Sequence, residues 1–133
     1  MIVVDTSILV AFLRGDTTPG AERLARLEED QVPFTVPAIC FQELLQGARD
    51  EREWRLLDEY LETQRLLVPL HTTDSYREAA RIFFDCRRRG VTVRSTVDCL
   101  IAAQALENGA TLLHDDRDFD RIASVRPLKV LRD

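Results

Sequence analysis

Short, wholly apolar runs alternate along this chain with longer stretches in which apolar residues recur every three or four positions. Ile2-Val3-Val4, ended by Asp5, is apolar on both faces, as a strand is when helices cover both sides of its sheet. Phe34-Thr35-Val36, Leu66-Leu67-Val68, 111–114 and 128–131 read as further strands. Helical patterns fill the intervals. The first, over about 6–14, is stopped by Gly15, and the second opens at Thr18-Pro19, an N-cap followed by proline at the first helical position, and runs to about Asp30. Pro37 starts a third, in which Phe41, Leu44, Leu45 and Ala48 follow the i, i+3, i+4, i+7 pattern. Trp54, Leu57, Tyr60 and Leu61 give a fourth, over 51–63, one apolar face, read as core. Thr72 and Thr73 cap a long helix reaching Arg89 and ended by Gly90; Ser95 opens another that reaches Asn108 and stops at Gly109. The acidic run from His114 to Asp120 reads as a turn.

Strands alternating with helices imply βαβ units, right-handed crossovers and a mainly parallel sheet covered by helices, hence an α/β fold. In such a sheet the strand exits and the first turns of the following helices gather along one edge, where α/β proteins bind ligands. Asp5 and Asp116 leave strands, and Glu43 and Asp98 lie within the first two turns of their helices. Asp98 is the only charged residue between Ser95 and Leu106, in a helix apolar on nearly all sides, so its charge requires compensation. A capping box with Ser95, in which Asp98 reaches back to the helix N-terminus, is one source of it. Asp5 can likewise act as an N-cap, though Thr6 could fill that role. Glu43 lies opposite the apolar stripe of its own helix, which by periodicity alone is a solvated position. Spacing does not choose among Asp115, Asp116 and Asp118.

At 133 residues the chain has the size of one domain, 1–133, and 45% hydrophobic with 31% charged residues is the composition of a folded, soluble protein. No apolar run approaches the ~18 residues of a membrane span and no leader precedes the first strand, so a cytoplasmic protein without a membrane partner is expected. Cys40, Cys86 and Cys99 are odd in number and widely spaced, the pattern of reduced, packed thiols rather than of disulfides or a zinc knuckle. The net charge of −5 argues against nonspecific binding of nucleic acid. Of eighteen basic residues, however, all but Lys129 are Arg, and Arg87, Arg88 and Arg89 with Arg94 form a local cluster suited to bidentate phosphate contacts.

Four carboxylates brought within about 5 Å of one another would repel by about 3 kcal/mol per pair at an effective dielectric near 20. Protonation or a cation must relieve that. Carboxylate oxygens select Mg²⁺ or Mn²⁺, and the absence of H-E-x-x-H or Cys/His ligand spacing argues against zinc. Acid-lined sites holding such ions hydrolyse phosphodiesters. A metal-free ribonuclease would want paired histidines or a lysine, and only His71, His114 and Lys129 are present.

Ile2-Val3-Val4-Asp5-Thr6-Ser7, Glu43 in Cys40-Phe41-Gln42-Glu43-Leu44, Asp98 in Thr96-Val97-Asp98-Cys99-Leu100-Ile101-Ala102-Ala103, and His114-Asp115-Asp116-Arg117-Asp118-Phe119 together resemble the PIN-domain proteins, and within them the VapC toxin ribonucleases of toxin–antitoxin pairs. The resemblance implies a three-layer α/β/α sandwich in which Asp5, Glu43, Asp98 and Asp116 surround one or two Mg²⁺ (or Mn²⁺) ions. It selects Asp116 by its place two residues before Asp118-Phe119, makes Asp118 an additional acid, brings in Glu43 against its helical phase, and gives Thr6 and Ser7 supporting roles next to metal-held water. His114 departs from the family, which often has Ser or Thr there, so no role is carried over to it. The activity implied is an endoribonuclease that cleaves RNA with a metal-activated water, leaving 5′-phosphate and 3′-hydroxyl ends. A VapB-like antitoxin and a second copy of the chain are the implied protein partners. The alternative is a catalytically silent PIN-like module that binds RNA or protein, against which the complete set of acids speaks.

Overall fold

The computed structural model describes residues 1–131. Five strands, β1 (Ile2–Val4), β2 (Thr35–Pro37), β3 (Arg65–Leu67), β4 (Thr111–Leu113) and β5 (Lys129–Val130), pair in parallel in the order β3-β2-β1-β4-β5. They are linked by α1 (Thr6–Leu13), α2 (Pro19–Glu29), α3 (Ala38–Gln46), α4 (Glu51–Glu62), α5 (Thr73–Arg88), α6 (Thr96–Glu107) and α7 (Arg117–Ala123). The chain steps from β1 through β2 to β3 in one direction, then returns past β1 to β4 and on to β5. With right-handed crossovers that reversal puts α1 to α4 on one face of the sheet and α5 to α7 on the other. The helix packing agrees: α1 touches α2 and α3, and α3 touches α4, while α5 packs on α6 and α7, and α6 on α7.

Val3, Val4, Val36, Leu112 and Leu113 are fully buried in the sheet, with Ile8 and Leu24 from the first helical layer and Ile82, Ile101 and Phe119 from the second. Each such side chain contributes about 1.5–3 kcal/mol relative to exposure. A Cβ on Gly20 would overlap Ile8 Cδ1, so glycine there lets α2 lie close on α1. Helix α6 buries Cys99, Ile101, Ala102, Ala103, Gln104 and Ala105, which explains a sequence with almost no polar face. All three cysteines are buried and free, and among the described residues no helix is long and apolar enough to cross a membrane.

Some local expectations are corrected. β2 and β3 each lie one residue from the positions read from the sequence, in the register Thr35↔Arg65, Val36↔Leu66 and Pro37↔Leu67. The apolar face of α4 is buried only towards its end: Leu61 is inside, whereas Trp54 is 43% exposed. Thr72 precedes α5 with φ of 46° and makes no side-chain cap; Ser75 accepts the His71 N–H at 3.0 Å and donates to Glu107 Oε2 at 2.6 Å instead. The largest difference is α7, which occupies what reads as an acidic turn. Asp116 caps it, and Phe119 and Ile122, one helical turn apart, are fully buried.

Candidate metal centre

The strand order reverses between β1 and β4, and the carboxyl ends of these two neighbours form the crevice where an open parallel sheet binds its ligand. Asp5 follows β1 directly, its N–H donating to Leu113 O at 3.0 Å. It is buried and caps α1: its Oδ2 accepts the Ser7 N–H at 3.1 Å and the Ser7 hydroxyl at 2.6 Å. The same Ser7 Oγ accepts the Asp115 N–H at 3.0 Å, so one hydroxyl ties the exit of β1 to the loop after β4. Thr6 Oγ1 donates to Glu43 Oε1 at 2.9 Å, bringing α3 to the same place. Glu43 is thus half-buried and held, although its helical phase reads as solvated. The two hydroxyls bind the acids themselves.

Asp98, Asp116 and Asp118 arrive from the opposite layer and place a carboxylate oxygen each within 4.8 Å of the others. The expected capping box is only half built. Ser95 Oγ accepts the Asp98 N–H at 3.4 Å, but the Ser95 N–H goes to Asp118 Oδ2 at 3.0 Å, beside the Arg94 N–H at 2.9 Å. Asp98 is therefore released from capping. Its side chain is buried, and Oδ2 has no hydrogen-bond partner. Burial first, then the charges of Asp5, Asp116 and Asp118 and a hydrogen bond with Asp116, push its carboxyl up to about 9. Burial also raises Asp5, opposed by its bonds to Ser7 and assisted by the charge of Glu43. A hard cation at this edge would supply what the orphaned oxygen and the crowded charges lack, and the all-oxygen donor set fits one.

Asp118, 3% exposed, has two jobs: besides joining the acid set, it fixes the entrance to α6 and accepts Arg121 Nη1 at 2.9 Å. The arginines expected to meet RNA are divided. Arg94 lines a hollow of about 380 Å³ with Arg117, Asp116 and Asp118. Arg87 and Arg88 lie 5.7 Å from the centre of the Phe84 ring, with Arg81 at 4.9 Å, and Arg89 is exposed at the end of α5. Arg117 and Arg121 did not stand out in the sequence; their signal is that they flank Asp118 at one and three positions, which matters only once the segment is a helix.

Residues 2–125 match the family model described as PIN domain. The chain is 36% identical over 132 residues to "Ribonuclease VapC11" of Mycobacterium tuberculosis, covering 97% of this chain and 96% of that protein, and 34% identical over 123 residues to "Ribonuclease VapC51" of the same organism, covering 92% and 85%. This chain belongs to the PIN-domain family, in its VapC ribonuclease branch. The fold agrees with the crystal structure of VapBC2 from Rickettsia felis bound to a DNA fragment from its promoter, at a TM-score of 0.75 with 20% identity over 98% of each chain. In this PIN domain one helical layer brings Asp5 and Glu43 to the β1/β4 crevice and the other brings Asp98, Asp116 and Asp118. Ser7 ties the two strand exits together. Ser7→Ala is expected to lower the catalytic rate about 10–100-fold, the usual cost of losing a partner that orients a ligand, with a change in unfolding midpoint of only a few degrees. Single-turnover RNA cleavage beside thermal melts checks both.

Proposed function

We propose that this protein is an endoribonuclease dependent on Mg²⁺ or Mn²⁺, the toxin of a toxin–antitoxin pair, acting in the cytoplasm as a homodimer. The observation that carries the reading is the buried Asp98 with its unpartnered oxygen, clustered with Asp116 and Asp118 and within reach of the charge of Asp5. Asp98, Asp116 and Asp118, with Asp5 and Glu43 beside them, would hold the cation. When bound, it supplies Lewis-acid stabilisation of a phosphate oxygen and a lowered pKa for water. The chain's own groups do the positioning: Ser7 and Thr6 fix Asp5 and Glu43, Asp118 fixes the α6 entrance, and the exposed Arg94 and Arg117 take RNA phosphates at the rim of the centre. No pair of histidines faces the site to activate a ribose hydroxyl: His71 lies before α5, and His114 Nδ1 is occupied by the Asp116 N–H.

The antitoxin is a VapB-like protein. A groove of about 440 Å³ lined by Val10, Leu13, Leu44 and Leu57 opens onto Glu43, and a bound antitoxin segment would lie in it and cover the acids. Inducible expression in a heterologous cell, wild type beside Asp5→Asn, tests the toxin reading. Growth arrest with fragmented RNA is expected for the wild type, and normal growth for the variant at equal protein level. Arrest that survives the substitution would remove the nuclease from the account.

A further inference from the structure

We infer that His114 is a positioning residue of the acid centre, its Nδ1 serving as the built-in acceptor that holds Asp116 in line with Asp98 and Asp118. The inference rests on the metal-centre reading above. His114 is the first residue after β4, and its side chain is 5% exposed. Nδ1 accepts the Asp116 N–H at 3.1 Å. A side-chain acceptor taking the N–H two residues on is the arrangement by which Asn, Asp, Ser and Thr make turns, here built from a ring. An imidazole nitrogen accepts only when it carries no proton, so the proton sits on Nε2, which faces Asp120 Oδ1 at 3.8 Å. The ring itself lies against buried Phe119, centroids 4.9 Å apart and planes tilted by 49°. Its orientation is thus set by the bond at Nδ1 and by the ring contact with Phe119, since 3.8 Å is too long for a hydrogen bond at Nε2.

What the ring holds is the start of a chain of bonds. Asp116, anchored through its N–H, accepts the Asp118 N–H on Oδ1 at 2.9 Å. Asp118 in turn accepts the N–H groups of Arg94 and Ser95, at the entrance to the helix that carries Asp98. The loop after β4 is also fastened at Asp115 by Ser7. Of these fastenings, the bond from His114 acts on the backbone of Asp116 itself. Without it the Asp116 N–H turns to water, and its carboxylate loses the placement that three converging oxygens need. The chain of bonds reaches Arg94 through its backbone N–H, while the side chains of Arg94 and Arg117 that would hold RNA are exposed and outside it.

The test compares purified wild type with His114→Phe, which keeps a buried ring and removes the acceptor, and His114→Asn, which keeps an acceptor able to take an N–H two residues on. His114→Leu is a second acceptor-free variant should the phenylalanine fold poorly. Three readouts are taken: Mn²⁺ affinity by calorimetry, amide exchange of Asp116 by NMR in metal-free protein, and RNA cleavage kinetics. The acceptor-free variants are expected to bind Mn²⁺ about 10–100-fold more weakly, to lose kcat with KM for RNA within about twofold, and to exchange the Asp116 amide at least about tenfold faster. His114→Asn is expected to recover affinity and exchange to within about threefold of wild type. Equal Mn²⁺ affinity in wild type and folded His114→Phe, or no recovery by His114→Asn, would overturn the inference while leaving the metal centre standing. A wild type that binds no Mn²⁺ would instead overturn the metal centre itself.

Discussion

Asp98→Asn is expected to lower RNA cleavage by about 10³-fold while raising the unfolding midpoint of the metal-free protein once pH passes about 9, where the Asp98 carboxyl loses its proton. The first effect follows from removing an anionic oxygen ligand: a cation's stabilisation of developing charge amounts to several kcal/mol, and each 1.36 kcal/mol is a factor of ten in rate. The second follows from the burial of Asp98 with its orphaned Oδ2 beside Asp5, Asp116 and Asp118, where the charge that appears above about pH 9 meets like charges. An amide there stays uncharged at every pH and still donates to Asp116, so above about pH 9 it avoids a repulsion and keeps a buried acceptor satisfied, a gain of about 1–3 kcal/mol. Opposite signs for activity and stability mark a residue kept for function. Differential scanning calorimetry and cleavage rates on one preparation measure both, and a variant that loses stability together with activity would point to a structural carboxylate.

Mn²⁺ at a concentration a hundred times its Kd at neutral pH is expected to raise the unfolding midpoint by about 10 °C, equivalent to about 2.7 kcal/mol, and at that same concentration to raise it further as pH rises. The sign comes from Asp98, held at about 9 in the folded protein against 3.8 for the free group. Because the folded form keeps that proton more readily than the unfolded chain, the associated stability is complete below 3.8 and is lost as pH climbs through about 9. The metal-free midpoint should fall over that window, with Asp5, shifted in the same direction, adding to the slope. Binding of the cation displaces the proton, so affinity and stabilisation grow over the same range. Asp98→Asn should flatten both dependences. A midpoint that ignores Mn²⁺ at every pH would remove the metal from the account.

Strand and helix order could be read from the chain because most elements carry their periodicity in the open: Ile2-Val3-Val4 is apolar throughout, and Ser95 and Gly109 bracket a helix whose one charge before Leu106 is Asp98. Helix α7 reads as a turn because its first turn carries Asp118 and Asp120, which resemble turn chemistry; its helical signature is the pair Phe119 and Ile122 on one face behind the Asp116 cap. The acids divide in the same way. Asp5 and Asp98 stand out as charges in apolar elements, a local property. Glu43 does not, since the hydroxyl that holds it belongs to Thr6, thirty-seven positions away. Asp118 could not be separated from Asp115 and Asp116 by spacing, because its distinction lies in the N–H groups of Arg94 and Ser95, which only the packing of α7 on α6 brings to it.

The ends left on RNA distinguish attack by water from attack by a ribose hydroxyl. Purified protein incubated with structured RNA and Mn²⁺ is predicted to give 5′-phosphate and 3′-hydroxyl termini, the products of attack by water, and no cleavage once the metal is chelated. Termini bearing 2′,3′-cyclic phosphate, or cleavage that persists in chelator, would contradict a carboxylate metal centre at the ends of β1 and β4.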